Sequence, residues 1–152
     1  MAIPPEHRKV HGFPAWLQIV RAYNYMEARV SADLRRADLT LARFDVLVVL
    51  AKFGPMSQQT LADILSVTKG NVVGLIDKLS ARGFVDRQPS KTDGRVNLLQ
   101  VTPAGKRIVE RILPRQMQLI AGLMRPLNPR EAAALEALLA RLRDDEVAER
   151  AS

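Results

Sequence analysis

Residues 61–106 read LADILSVTKGNVVGLIDKLSARGFVDRQPSKTDGRVNLLQVTPAGK, and the fold turns on how this stretch divides. Val72, Leu75, Ile76 and Leu79 stand at i, i+3, i+4 and i+7, so one stripe of a helix is apolar. Thr68 supplies a hydroxyl cap before that helix, and Gly83 a residue free to turn left-handed after it. Phe84–Gln88 and Val96–Val101 have strand composition, and the polar segment between them holds Pro89 and Asp93-Gly94, which predicts a hairpin. Thr102-Pro103 then places a cap and a first-turn proline where a further helix begins.

Upstream, Ser57 caps a short helix whose buried side is expected to be Leu61, Ile64 and Leu65, and Ser66-Val67-Thr68 is the turn to the next helix. Thr40 caps a helix carrying Phe44, Val46, Leu47, Val49 and Leu50 that stops at Gly54-Pro55. Residues 13–36 give a long first helix, with Phe13, Trp16, Leu17, Val20, Tyr23, Val30 and Leu34 at three- and four-residue steps. Downstream, the helix from Pro103 carries Ile108, Val109, Ile112, Leu113, Met117, Ile120, Leu123 and Met124, and Pro114 is expected to kink it. Asn128-Pro129 opens the last helix, where Glu131 is placed to complete a capping box and Leu135, Leu138, Leu139 and Leu142 are expected to be buried.

Helix, short turn, helix and basic hairpin in that order predict a mainly α fold with a small β-hairpin wing. The whole of 1–152 is expected to be one domain, with a winged helix-turn-helix lobe at 40–102 and N- and C-terminal dimerisation helices at 13–36 and 103–148. Those terminal helices hold more apolar side chains than the lobe can cover, so they are expected to pack on each other or on a second copy. A homodimer is favoured, because two-fold symmetry presents two recognition helices to half-sites about 34–36 Å apart.

Composition narrows the class. Of 152 residues, 47% are apolar and 26% charged, which is neither a disordered nor a membrane-protein balance. No apolar run approaches the roughly 20 residues that span a bilayer, and the start MAIPPEHRKVHG lacks a secretory pattern, so a cytoplasmic protein is expected. There is no cysteine, which removes disulfides, thiol redox sensing and thiolate zinc sites. The net charge is +7, and residues 68–107 carry eight basic against three acidic side chains, so about a quarter of the chain holds most of the excess. That bias suits a polyanion. No cofactor, metal or enzymatic activity is expected: there is no glycine-rich phosphate loop or paired-carboxylate motif, and His7 and His11, although spaced for a metal on a helix, lie in a Pro-rich start.

The quoted stretch resembles the MarR family of bacterial transcriptional regulators. The likeness rests on Leu61-Ala62, on Leu79 and Gly83 at the end of the recognition helix, on Asp93-Gly94-Arg95 in the wing, and on Thr102 and Gly105 at the next helix start. It implies an obligate homodimer, with double-stranded DNA as partner in a pseudo-palindromic operator; repression is the expected default, because a compact dimer over a promoter blocks polymerase. It also implies that Arg95 enters or lines the minor groove with Asp93 bracing it, and that small aromatic or phenolic acids bind between the dimer helices and the lobe.

Within the recognition helix the candidates for DNA contact are Ser66, Thr68, Lys69, Asn71, Val73 and Lys78, with Lys91 adding a phosphate contact in the wing. Thr68 and the helix start suit phosphate, Lys69 and Lys78 give affinity, Asn71 can bond an adenine edge, and Val73 can touch a thymine methyl. A polar or basic pair is frequent in the family where this chain has Val73 and Gly74, so no operator sequence carries over. Gln58 and Gln59 are phosphate contacts or simply a solvated helix start. Trp16, Tyr23, Tyr25, Phe44 and Asp45 can build an effector pocket, and the aromatics serve as dimer core in the reading that takes precedence. The rival to a DNA-binding regulator is a winged helix used only for protein contact.

Overall fold

A computed structural model describes residues 10–89 and 97–150, with side-chain burial described to residue 142. Six helices and three short strands succeed one another as α1 (Phe13–Leu34), α2 (Leu41–Phe53), β1 (Met56–Ser57), α3 (Gln58–Leu65), α4 (Lys69–Ala81), β2 (Val85–Pro89), β3 (Asn97–Val101), α5 (Pro103–Met124) and α6 (Pro129–Arg150). The chain divides into two compact units, Met1–Gln116 and Met117–Ser152. This is the expected mainly α fold with a wing.

Caps set the helix starts. The side chains of Thr40, Ser57 and Thr68 accept from the amides of Arg43, Thr60 and Asn71, three residues ahead in each case. Three helix ends share one device: Asp38, Ser66 and Gly83 sit left-handed at φ 53°, 53° and 67°. At each, two amides bond back to carbonyls, Phe84 to Leu79 and Gly83 to Ser80 for the last of them. Gly83 takes this conformation freely, whereas Asp38 and Ser66 hold it at a steric cost of about 1–2 kcal/mol each. The first helix therefore ends at Leu34, with a 3-10 turn over Arg35–Ala37, rather than running to 36.

β3 lies in the middle of an antiparallel sheet ordered β1-β3-β2. Its partners are Val85 opposite Val101, Arg87 opposite Leu99 and Pro89 opposite Asn97 on one side, and Met56 opposite Leu99 on the other. The sequence predicts the hairpin, with strands displaced by a residue, but not β1, whose two residues are too short for any alternation to show. The core is built from α2, α3, α4 and the sheet, with Leu34 of α1 and Val109 and Ile112 of α5 joining it: Val46, Leu47, Leu50, Leu61, Val72, Ile76, Leu79 and Leu99 are fully buried. Each such side chain contributes about 1.5–3 kcal/mol. Ile64, expected in this core, is 45% exposed, because the helix turns Leu61 and Ala62 inward instead.

Thr102 fastens the wing to α5. Its hydroxyl donates to the Gly83 carbonyl at 2.7 Å and accepts from the Gly105 amide at 3.1 Å, while its own amide donates to the Phe84 carbonyl at 3.0 Å. Gly105 is buried so tightly here that a Cβ would collide with the Phe84 carbonyl and the Val101 side chain. Further along α5, Arg115 and the buried Gln116 donate to the Asp33 carboxylate at 2.9 and 2.6 Å, tying α5 to α1. The helix runs on through Pro114.

In the second unit, Asn128 caps α6 as expected: its side chain accepts from Arg130 and Glu131, and Glu131 accepts from the Asn128 amide at 2.8 Å. Leu135, Leu138, Leu139 and Leu142 are exposed rather than buried, as are Met117 and Ile120, since nothing among the described residues covers them. Trp16, Ile19, Tyr23 and Tyr25 of α1 are exposed as well. No helix among the described residues is long and apolar enough to cross a membrane.

Gly105→Ala is expected to destabilise the protein by about 1–3 kcal/mol, the cost of forcing a methyl group into packed atoms. Equilibrium urea unfolding measures this, and an unchanged midpoint would show that the junction yields without cost.

Candidate nucleic-acid interface

Burial of Val72, Ile76 and Leu79 fixes the roll of α4 and leaves the opposite face to solvent. Thr68, Lys69, Gly70, Asn71, Val73, Gly74, Asp77 and Lys78 are all exposed. At 100° per residue, Gly70, Gly74 and Asp77 lie farthest from the buried stripe, flanked by Lys69 and Val73 on one side and Asn71 and Lys78 on the other. A Cβ on Gly70 or Gly74 would meet nothing within 4 Å, so this face is a smooth backbone surface open to a partner. Ser66, in the left-handed turn, and Val67 precede it and are exposed too.

The helix start adds polarity of the right sign. Thr68 satisfies the Asn71 amide, while the amides of Lys69 and Gly70 point out of the first turn, where the helix dipole is positive. Gln58 and Gln59 open α3, and Gln59 is occupied with Asp63 at 2.9 Å. Lys91, Asp93 and Arg95 fall outside the described residues.

Two of the basic side chains counted along 68–107 are already engaged. Arg87 on β2 pairs with Asp77 of α4 at 2.5 Å, tying the wing to the recognition helix. Arg82 reaches back to the turn after α1, donating to the Asp38 carbonyl at 2.5 Å and the Ala37 carbonyl at 3.2 Å. Sequence reasoning missed both roles: the Arg82 partners are more than forty residues away, and nothing local signals them. Lys69 and Lys78 make no ion pair among the described residues.

The aromatic residues singled out for ligand binding do not gather. Phe44 is 4% exposed and belongs to the core, because α2 turns it inward with Val46 and Leu47. Trp16 stacks on Phe13 at 5.7 Å between ring centroids. Tyr23 and Asp45 both line a crevice of about 520 Å³, with Glu27, Ser31, Arg35, Leu39 and Thr40. Burial pushes the Asp45 carboxyl above its ordinary range. Among the described residues no group of three or more His, Asp or Glu side chains could hold a metal.

The same lobe occurs in known proteins. The model of the MarR family matches residues 37–96, which take in α2, α3, α4 and the start of the wing. The multiple antibiotic resistance protein MarR of Salmonella typhimurium is 33% identical over 106 residues, covering 69% of this chain and 74% of that one. The chain belongs to the MarR family. It is therefore a helix-turn-helix, DNA-binding transcriptional regulator. Among solved structures, BpsR of Bordetella bronchiseptica, whose DNA binding is regulated by 6-hydroxynicotinic acid, superposes with a TM-score of 0.81 at 28% identity over 88% of this chain and 96% of that one. A mutant MarR from E. coli complexed with operator DNA superposes with a TM-score of 0.79 at 27% identity, covering 86% of this chain and 94% of its own.

The geometry of this MarR-family lobe sets two expected outcomes. Gly74→Ala is expected to raise stability by about 0.5–1 kcal/mol in urea unfolding, since the added methyl has room and the helix loses a flexible residue. Asp45→Asn is expected to raise the melting temperature at pH 7. The folded state binds the Asp45 proton more tightly than the unfolded state, so the charged form costs stability above the folded pKa. That cost fades as pH falls through the folded pKa, so the gain from Asn should shrink toward pH 4. An equal gain at both pH values would contradict the burial cause.

Proposed function

We propose that this chain is a homodimeric, sequence-specific repressor that binds double-stranded, pseudo-palindromic operator DNA and is released by a small aromatic or phenolic ligand. The observation that carries the DNA reading is the bare outer face of α4, with two glycines at its centre and Lys69 and Lys78 on its flanks. Glycine brings the backbone near the groove floor, so Asn71 and Val73 reach base edges from a shallow position. In this reading Thr68 and Ser66 meet phosphate, Asn71 bonds an adenine edge and Val73 packs on a thymine methyl. Lys91 and Arg95 extend the contact along the backbone and into the minor groove, with Asp93 as brace.

Exposed apolar side chains support the dimer. Trp16, Ile19 and Tyr23 on α1, Met117 and Ile120 on α5, and Leu138 and Leu142 on α6 are more than single surface residues need explain. A groove of about 840 Å³ on the second unit, lined by Met124, Ala132, Leu135 and Leu139 among others, offers seats for such side chains. A second copy would cover them. Repression is explained by steric blocking: a dimer over a promoter excludes polymerase without further contacts. The crevice beside Tyr23 and Asp45 is the site for the effector, with Arg35 facing an acid group and Tyr23 an aromatic ring.

Binding to duplex DNA should weaken steeply as salt rises, and no binding at low salt would leave a winged helix used for protein contact only. Lys69→Ala should weaken binding to all sequences alike and lower the salt slope by about one. Arg95→Ala should lose affinity strongly with dimer content unchanged. Replacing operator thymines by deoxyuridine, which lacks only the methyl, should weaken the wild type and leave Val73→Ala indifferent; equal sensitivity of both would remove Val73 from base contact.

A further inference from the structure

We infer that Arg82 is a positioning residue for DNA recognition: it struts the C-terminal end of the recognition helix against the turn after α1, and so fixes the orientation of α4 relative to the first helix. Its guanidinium donates through one nitrogen to the Asp38 carbonyl and through another to the Ala37 carbonyl. The Asp38 carboxylate stands 3.6 Å away. Beneath, the Phe84 ring lies 4.8 Å from the guanidinium carbon.

The chemistry explains why an arginine serves here. Arg82 caps α4, and its own amide donates to the Leu79 carbonyl within the terminal turn. Ala37 and Asp38 close the turn after α1, where carbonyls left over from the helix point outward and the dipole is negative. One cation therefore answers carbonyls at the end of another helix, and a planar fork meets two acceptors that a single ammonium meets less well. Phe84 holds the guanidinium flat and also leads into the wing strand, so strut and wing base share one residue. The side chain is 29% exposed, held among these partners rather than extended toward solvent.

In a dimer built on α1, the orientation of α4 against that helix sets the separation and phase of the two recognition helices. Loss of the strut widens the range of half-site spacings the protein accepts. This rests on the dimeric DNA-binding function proposed above, and the experiment separates the two. Duplexes selected by the wild-type protein from a random pool would be remade with one base pair added or removed between half-sites. One base pair rotates a half-site by about 34–36°, so the wild type should lose roughly tenfold or more in affinity. Arg82→Ala should bind the optimal spacing more weakly and discriminate spacings by no more than about twofold, with its salt slope unchanged. Arg82→Lys should resemble Arg82→Ala, because it keeps the charge and loses the fork. Amide exchange without DNA should quicken over residues 37–41 in both variants.

A salt slope lowered by about one in Arg82→Ala and restored in Arg82→Lys would make Arg82 a phosphate contact and overturn the inference. So would a spacing preference as sharp as the wild type, whether or not the variant melts earlier. Failure of the wild type to select any duplex would instead strike the proposed function.

Discussion

The bond from the Thr102 hydroxyl to the Gly83 carbonyl joins four structural events: the end of α4, the start of β2, the end of β3 and the start of α5. Gly83 must turn left-handed to end the helix, which leaves its carbonyl free and aimed at Thr102. Thr102 in turn caps α5 through the Gly105 amide, and Gly105 must lack a side chain for α5 to approach Phe84 this closely. Each group is satisfied by another that needs the same geometry. The wing base therefore cannot rotate against the recognition helix without releasing these hydrogen bonds, each worth about 1 kcal/mol net. Arg87 to Asp77 repeats the linkage from the next residues of the strand.

How much was legible in the sequence depends on the range of the interactions that decide it. Caps act over three residues, so Thr40, Ser57, Thr68 and the Asn128–Glu131 pair could be read from spacing alone. The stripe on α4 needs only helical period, and the face opposite it came with it. Ile64 and the leucines of α6 mark the limit of that logic: period identifies an apolar face, but not what covers it. Phe44 had two readings, apolar face of α2 and effector pocket, because an aromatic ring looks the same in a core as in a pocket; the structure buries it in the core. β1 is set by its pairing with the distant β3, and the left-handed turns at Ser66 and Asp38 lack the glycine that marks such a turn in a sequence.

Charge illustrates the same point at the site. Counting cations along 68–107 makes them equal, yet the structure sorts them by work: Arg82 serves helix ends and Arg87 a neighbouring acid, while Lys69 and Lys78 remain on the open face of α4. In the proposed DNA-binding mode, Arg82 and Arg87 would then add less to affinity than a count of cations suggests, and the outward amides and dipole of the α4 start would add to it. With glycines at 70 and 74 the face offers shape before it offers side-chain hydrogen bonds. In the proposed mode, discrimination would fall to a few atoms at its margins, so the placement of the helix as a whole would matter more than for a helix rich in long polar side chains.

Placement connects this surface to the crevice. Leu39, Thr40 and Leu41 line the cavity around Asp45, and they come directly after Ala37 and Asp38, whose carbonyls hold Arg82. A molecule that widened the crevice would press on the segment that anchors the strut, and the strut ends on the recognition helix and on Phe84 at the wing base. Asp38 sits left-handed in this segment, with its own amide and that of Leu39 bonded back to Arg35 and Leu34. Coupling energies between sites in proteins are typically about 1–3 kcal/mol, comparable with the loss of one or two charge-assisted hydrogen bonds. One turn and one arginine side chain lie between the crevice and the recognition helix.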